Sequence, residues 1–85
     1  MIKFNYTIKD RAGLHARQVV LLANECKKYN SKVYIQKDNL IIQLKDLVEV
    51  LKLNIKYNDI IEIQIEGEDE ELTEKNLKKY LNKKV

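Results

Sequence analysis

One pentapeptide concentrates the reactive residues of this chain: Gly13-Leu14-His15-Ala16-Arg17. It holds the single histidine and one of the two glycines among 85 residues. An alternating run ends before it and a helical spacing begins after it, so His15 falls at a helix start. Such a start offers unpaired backbone N–H groups and the positive end of the helix dipole, a setting for an anion. A neutral imidazole there is a nucleophile, and a guanidinium two residues on can neutralise a phosphoryl oxygen. Histidine titrates near neutrality, so the neutral form is available. A lone histidine in a loop is usually inert, and an arginine in a first turn is usually just solvated. Here no apolar pattern explains His15 as core, and histidine is a poor N-cap beside Ser or Asp. No serine and carboxylate are placed to build a hydrolytic triad with it. His15 and Arg17 are therefore the candidate catalytic pair, with phosphoryl acceptance as their chemistry.

Little else in the composition suggests reactivity. Cys26 is the only cysteine, so no intramolecular disulfide is possible and no Cys/His cluster exists to hold a metal. No cofactor motif is present. A free thiol fits a reducing, cytoplasmic setting. Sixteen basic against thirteen acidic residues give a net charge of +3. That is mildly basic, and no aromatic platform accompanies it, so nucleic acid is not an expected partner. No long apolar run marks a signal peptide or a membrane span. Acidic residues at 66–71 followed by Lys75, Lys78, Lys79, Lys83 and Lys84 match what a helix dipole favours at its two ends.

The elements that must position His15 follow from periodicity. Ile2, Phe4, Tyr6 and Ile8 alternate, predicting a half-buried strand over 2–8. From Ala16, Val19, Leu22, Ala23 and Cys26 lie at helical spacing, with the helix closing near Tyr29. Strands are expected at 32–36 and 40–44, joined by a two-residue Asp38-Asn39 turn. A short helix is expected over 46–53, capped by an Asp46/Glu49 capping box and ended by Asn54. A fourth strand covers 60–65, Gly67 ends it, and Asp69 caps a last helix whose inner stripe is Thr73, Leu77, Tyr80 and Leu81. The order βαββαβα, with one apolar face per element, predicts a single domain over 1–85. Its architecture is a two-layer open-faced sandwich: a four-stranded antiparallel sheet with three helices on one face and solvent on the other. No long exposed apolar edge is visible, so a monomer is expected.

Helix 46–53 carries apolar residues at 47, 48, 50, 51 and 53, more than one face can bury. Leu47, Val48 and Leu51, with Val20 from the first helix, are the candidate docking patch.

The chain resembles HPr, the histidine phosphocarrier family of the bacterial phosphoenolpyruvate-dependent sugar phosphotransferase system. The resemblance rests on Gly13-Leu14-His15-Ala16-Arg17, on Gln43-Leu44-Lys45-Asp46-Leu47-Val48-Glu49-Val50 and on Glu66-Gly67-Glu68-Asp69-Glu70, in register over essentially the whole chain. It implies a carrier that forms a phosphohistidine intermediate, not a stand-alone enzyme. Enzyme I would pass phosphate to Nδ1 of His15. Backbone N–H groups at Ala16 and Arg17 and the Arg17 side chain would hold it, with Gln18 beside them as a further candidate phosphate-binding residue of this chain, and an enzyme IIA domain would receive it. Val20, Leu47, Val48 and Leu51 fall where the family docks these partners.

Two positions depart from the family. Gln18 stands where the family has proline. It restores an N–H, and its side chain is placed to close a capping box onto the turn. Asp46 stands where the family commonly has a regulatory serine, phosphorylated to favour a catabolite-control regulator. Asp46 is a good N-cap on a bland reading. On a sharper one it is a fixed charge that no longer responds to the kinase. It keeps open an alternative: an HPr-like regulatory paralogue that binds a transcriptional or metabolic regulator.

Overall fold

In the computed structural model, which describes residues 1–85, the chain runs β1 (Ile2–Thr7), α1 (Ala16–Cys26), β2 (Ser31–Lys37), β3 (Leu40–Gln43), α2 (Leu47–Lys52), β4 (Ile60–Gly67) and α3 (Glu70–Lys84). The strands form one antiparallel sheet in the order β1-β4-β2-β3. Each helical crossover therefore skips a strand: α1 carries the chain from β1 past β4 to β2, and α2 carries it from β3 past β2 to β4. This is the expected sandwich.

Register decides which side chains meet. Phe4 opposes Ile63 and Ile35 opposes the same Ile63 from the other side. Ile35 also opposes Ile42. One sheet face thus carries a row of apolar residues, and the core forms where α1 and α3 cover it with Val19, Leu22, Leu77 and Leu81. Burying each such side chain contributes about 1.5–3 kcal/mol. The inner stripe of α3 is as expected, with Thr73, Leu77 and Leu81 buried and Tyr80 half-buried. The Tyr6 hydroxyl reaches the core and donates to the Leu81 carbonyl at 2.8 Å. Burial pushes the Tyr6 phenol up. The opposite face is polar, with Gln64 donating to Gln36 and Glu62.

Element ends differ from expectation by a few residues, for local reasons. The first helix stops at Cys26 because the chain tightens into i→i−3 bonds, Lys28 N–H to Glu25 O and Tyr29 N–H to Cys26 O. Asn54 and Asn58 take positive φ of 52° and 69°, as short polar residues can. Asp69 precedes α3 but does not cap its first turn with its side chain. Its carboxylate accepts instead from Asn30 N–H, the Ser31 hydroxyl and the Thr73 hydroxyl, pinning the α1–β2 turn to α3. The Ser31 hydroxyl and the Asn30 N–H hold that carboxyl below the usual range. The last helix does carry Glu70 and Glu71 in its first turn and Lys83 and Lys84 in its last.

The Asp46/Glu49 capping box is absent. In a capping box the Glu reaches back to the N-cap N–H. Here the Asp46 N–H already donates to Gln43 O at 2.9 Å. Glu49 turns to Lys52 at 3.2 Å, and the Asp46 side chain makes no cap bond.

Candidate functional site

The turn that delivers His15 is built from its backbone outward. Asp10 opens it: its side chain accepts from Ala12 N–H at 2.9 Å and its carbonyl from Gly13 N–H at 2.9 Å. An aspartate that bonds the N–H two residues on forms a tight local turn. Gly13 then takes φ +73°, where an L side chain is strained. It also lies so close to the chain behind it that a Cβ would sit 2.6 Å from Ile55 O and 3.0 Å from Lys56 Cα. Leu14 fastens the turn twice, through a buried side chain and an N–H bond to Ile55 O at 3.0 Å. The Lys9 and Asp10 N–H groups both donate to the Val85 carbonyl.

His15 emerges from this turn as the N-cap of α1, in extended conformation (φ −86°, ψ 175°). Its side chain is exposed and spends no hydrogen bond on the helix. Its carbonyl accepts from Val19 N–H, which leaves the N–H groups of Ala16, Arg17 and Gln18 without an acceptor in the chain. Arg17 is exposed and forms no ion pair. The structure therefore brings together an exposed imidazole, three unspent backbone donors and an uncommitted guanidinium.

Gln18 reaches the turn, but at a different point from the one expected. Its amide nitrogen lies 3.5 Å from an Asp10 carboxylate oxygen rather than at the His15 N–H. Its Oε1 is buried without a partner. A tether to the loop, made with half of its amide unsatisfied, replaces the capping box.

The candidate docking residues fall on two packed helices, α1 and α2. Val20, Val48 and Leu51 are 44%, 65% and 39% exposed. Leu47 is half-buried against the core and so serves partly as an anchor of α2. Val20 and Leu47 line one open groove of about 240 Å³, with Ala23, Leu44, Lys27 and Lys45 around it. Asp46 is exposed at the start of α2. Cys26 is half-buried, and burial with the neighbouring Glu25 pushes its thiol up to about 12. No three His, Cys, Asp or Glu side chains cluster to hold a metal ion. No helix is long and apolar enough to cross a membrane.

Sequence reasoning missed the backing of the site. Asp10 had a legible signal, since Asp-Arg-Ala-Gly is a turn-forming spacing. Ile55 had none, because it reaches the turn only through the fold.

Fold and site together define a class: a small open-faced α/β sandwich that presents one exposed histidine beside free helix-start donors. Comparison with known proteins gives the class its family. The family model for the PTS HPr component phosphorylation site matches residues 2–83. The chain is similar to the phosphocarrier protein HPr of Mycoplasma genitalium, 36% identical over 72 residues, covering 84% of this chain and 82% of the relative. It is also similar to the phosphocarrier protein HPr of Mycoplasma pneumoniae, 33% identical over 84 residues, covering 98% and 96%. Among solved structures, HPr-C-His from Thermoanaerobacter tengcongensis superposes with a TM-score of 0.88 at 28% identity, covering 96% of this chain and 92% of that one. The chain belongs to the HPr family, the phosphocarriers of the phosphotransferase system.

Proposed function

We propose that His15 is the residue that carries the phosphoryl group. The observation behind this reading is the exposed, uncommitted imidazole at the N-cap of α1, beside the free N–H groups of Ala16, Arg17 and Gln18. In the forward step, the lone pair of neutral Nδ1 attacks phosphorus, with the ring proton on Nε2. A new P–N bond forms as the P–N bond to the enzyme I histidine breaks, and that histidine leaves with the electron pair. The dianionic phosphoryl group then faces the helix start. Backbone donors and the Arg17 guanidinium offset its charge. The same displacement in reverse sense passes the group to a histidine of an enzyme IIA domain. Both partners dock over Val20, Leu47, Val48 and Leu51, whose apolar surface is rimmed by Lys27 and Lys45 and so favours an acidic counterpart.

The test is a reconstituted relay. A mixture of phosphoenolpyruvate, enzyme I and a IIA domain is expected to phosphorylate the IIA domain only when this chain is added. His15→Ala is expected to leave the IIA domain unlabelled. Labelling by the His15→Ala chain would assign the carrier role to another residue.

Gln18 makes a second testable contribution. Proline at this position removes one of the three free donors and no backbone bond, since the Gln18 N–H has no acceptor. It also removes the buried, unpartnered Oε1. Gln18→Pro is expected to stabilise the fold by about 0.5–1 kcal/mol, from reduced unfolded-chain freedom. It is also expected to shorten the phosphohistidine lifetime. Equal lifetimes in the two chains would remove Gln18 from the phosphate cradle.

A further inference from the structure

The His15 turn leans on the segment between α2 and β4, and that segment has almost no regular structure of its own. Ile55 O receives the Leu14 N–H, and Gly13 packs directly on Ile55 O and Lys56. On either side of Ile55, Asn54 and Asn58 hold positive φ. Leu53 and Ile55 anchor the segment in the core, and one side chain from the far end of β2 ties its backbone together. The Lys37 ammonium donates to Leu53 O at 3.2 Å and to Asn54 O at 3.0 Å, and it pairs with Asp59 Oδ2 at 2.9 Å. Two hydrogen bonds and an ion pair thereby converge on this one ammonium. The same Asp59 oxygen accepts from Lys56 N–H at 2.8 Å. The Asp59 backbone joins the segment to the residue that follows β1, its carbonyl accepting from Ile8 N–H at 2.9 Å. Lys37 and Asp59 are mostly covered, with side chains 21% and 32% exposed, so the pair is better shielded than a free surface pair.

These bonds form a chain of contact: Lys37 to the backbone of residues 53 and 54 and to the Asp59 carboxylate, through Ile55 O to Leu14, and from Leu14 to His15. We propose that Lys37 is a positioning residue for the phosphoryl-transfer site. By clasping Leu53, Asn54 and Asp59 it sets where the Ile55 carbonyl stands, and so how the Gly13-Leu14 turn aims His15. Lys37 makes no hydrogen bond or ion pair to His15 and acts on it only through the turn. This inference rests on His15 as the acceptor. Its physical logic is that group transfer tolerates little misplacement, with shifts near 1 Å costing up to about a hundredfold in rate.

Three variants of the full chain test it. Lys37→Met keeps the apolar stem and removes the donors. Lys37→Arg restores charge and donors. Asp59→Asn weakens the pair while leaving the Leu53 and Asn54 bonds, and serves if Lys37→Met does not fold. Two readouts are needed. Amide hydrogen exchange at Leu14 is expected to rise at least about tenfold in Lys37→Met relative to the β2–β4 ladder amides, because only local opening is affected. The maximal rate of His15 phosphorylation by enzyme I is expected to fall about tenfold. Asp59→Asn is expected to show both effects in weaker form, and Lys37→Arg to recover most of each. Leu14 exchange that is unchanged, or that rises in step with the ladder, would overturn the proposal. So would a loss confined to KM, which would place Lys37 in docking. If even the unaltered chain accepts no phosphate, the carrier reading fails, while the exchange readout still decides whether Lys37 holds the turn.

Discussion

Gly13→Val is expected to lower stability by at least about 2 kcal/mol and to slow His15 phosphorylation more than tenfold. Two costs combine. A β-branched residue at φ +73° sits in the left-handed region, at about 1–2 kcal/mol even for an unbranched side chain. Its Cβ would also stand 2.6 Å from Ile55 O, so backbone must move. That movement breaks the Leu14 N–H bond to Ile55 O, the bond that fixes the residue preceding His15. Thermal unfolding and the enzyme I reaction, measured on the same preparation, check both effects. A Gly13→Val chain with unaltered midpoint and rate would show that the turn does not need its close approach to Ile55.

Arg17→Ala is expected to do the opposite: a large kinetic loss with almost no change in stability. Arg17 is exposed and makes no ion pair, and surface changes away from special features usually stay within about 0.5 kcal/mol. On the proposed carrier reading, its role in transfer is charge. A preorganised donor facing a developing oxyanion is worth about a hundred- to a thousandfold when fully desolvated. Arg17 sits in solvent, so about ten- to a hundredfold is expected. Arg17→Lys, which puts one compact ammonium in place of a planar fork, should recover only part of it. Rapid-mixing kinetics with enzyme I reads the loss. An unchanged rate would assign charge stabilisation to the backbone N–H groups of α1 alone.

These expectations draw on features that are unequally visible in the chain itself. The His15 turn is legible because local rules agree there. A glycine permits the turn, the apolar spacing changes from two to helical, and the single histidine falls between them. The sandwich is legible for the same reason, since every strand and helix shows one apolar face. The caps are less so. An Asp46/Glu49 spacing looks like a capping box, yet the Asp46 N–H is already taken by Gln43 O, a bond from the turn that precedes α2. Asp69 looks like a helix cap, yet Ser31 and Asn30, 38 and 39 residues away, claim its carboxylate. Lys37 gives no local sign at all. It reads as one more lysine at a strand end, and its role exists only once β2 lies beside the α2–β4 segment. Local propensity reports what a residue can do, and tertiary competition decides which partner it takes.

The most direct measurement is intact-mass analysis of the chain after incubation with phosphoenolpyruvate and a matched enzyme I, beside His15→Ala. A gain of one phosphoryl group is expected, lost on brief acid treatment and absent from the His15→Ala chain. No gain with a competent enzyme I, or an equal gain on the His15→Ala chain, would contradict His15 as the phosphoryl carrier.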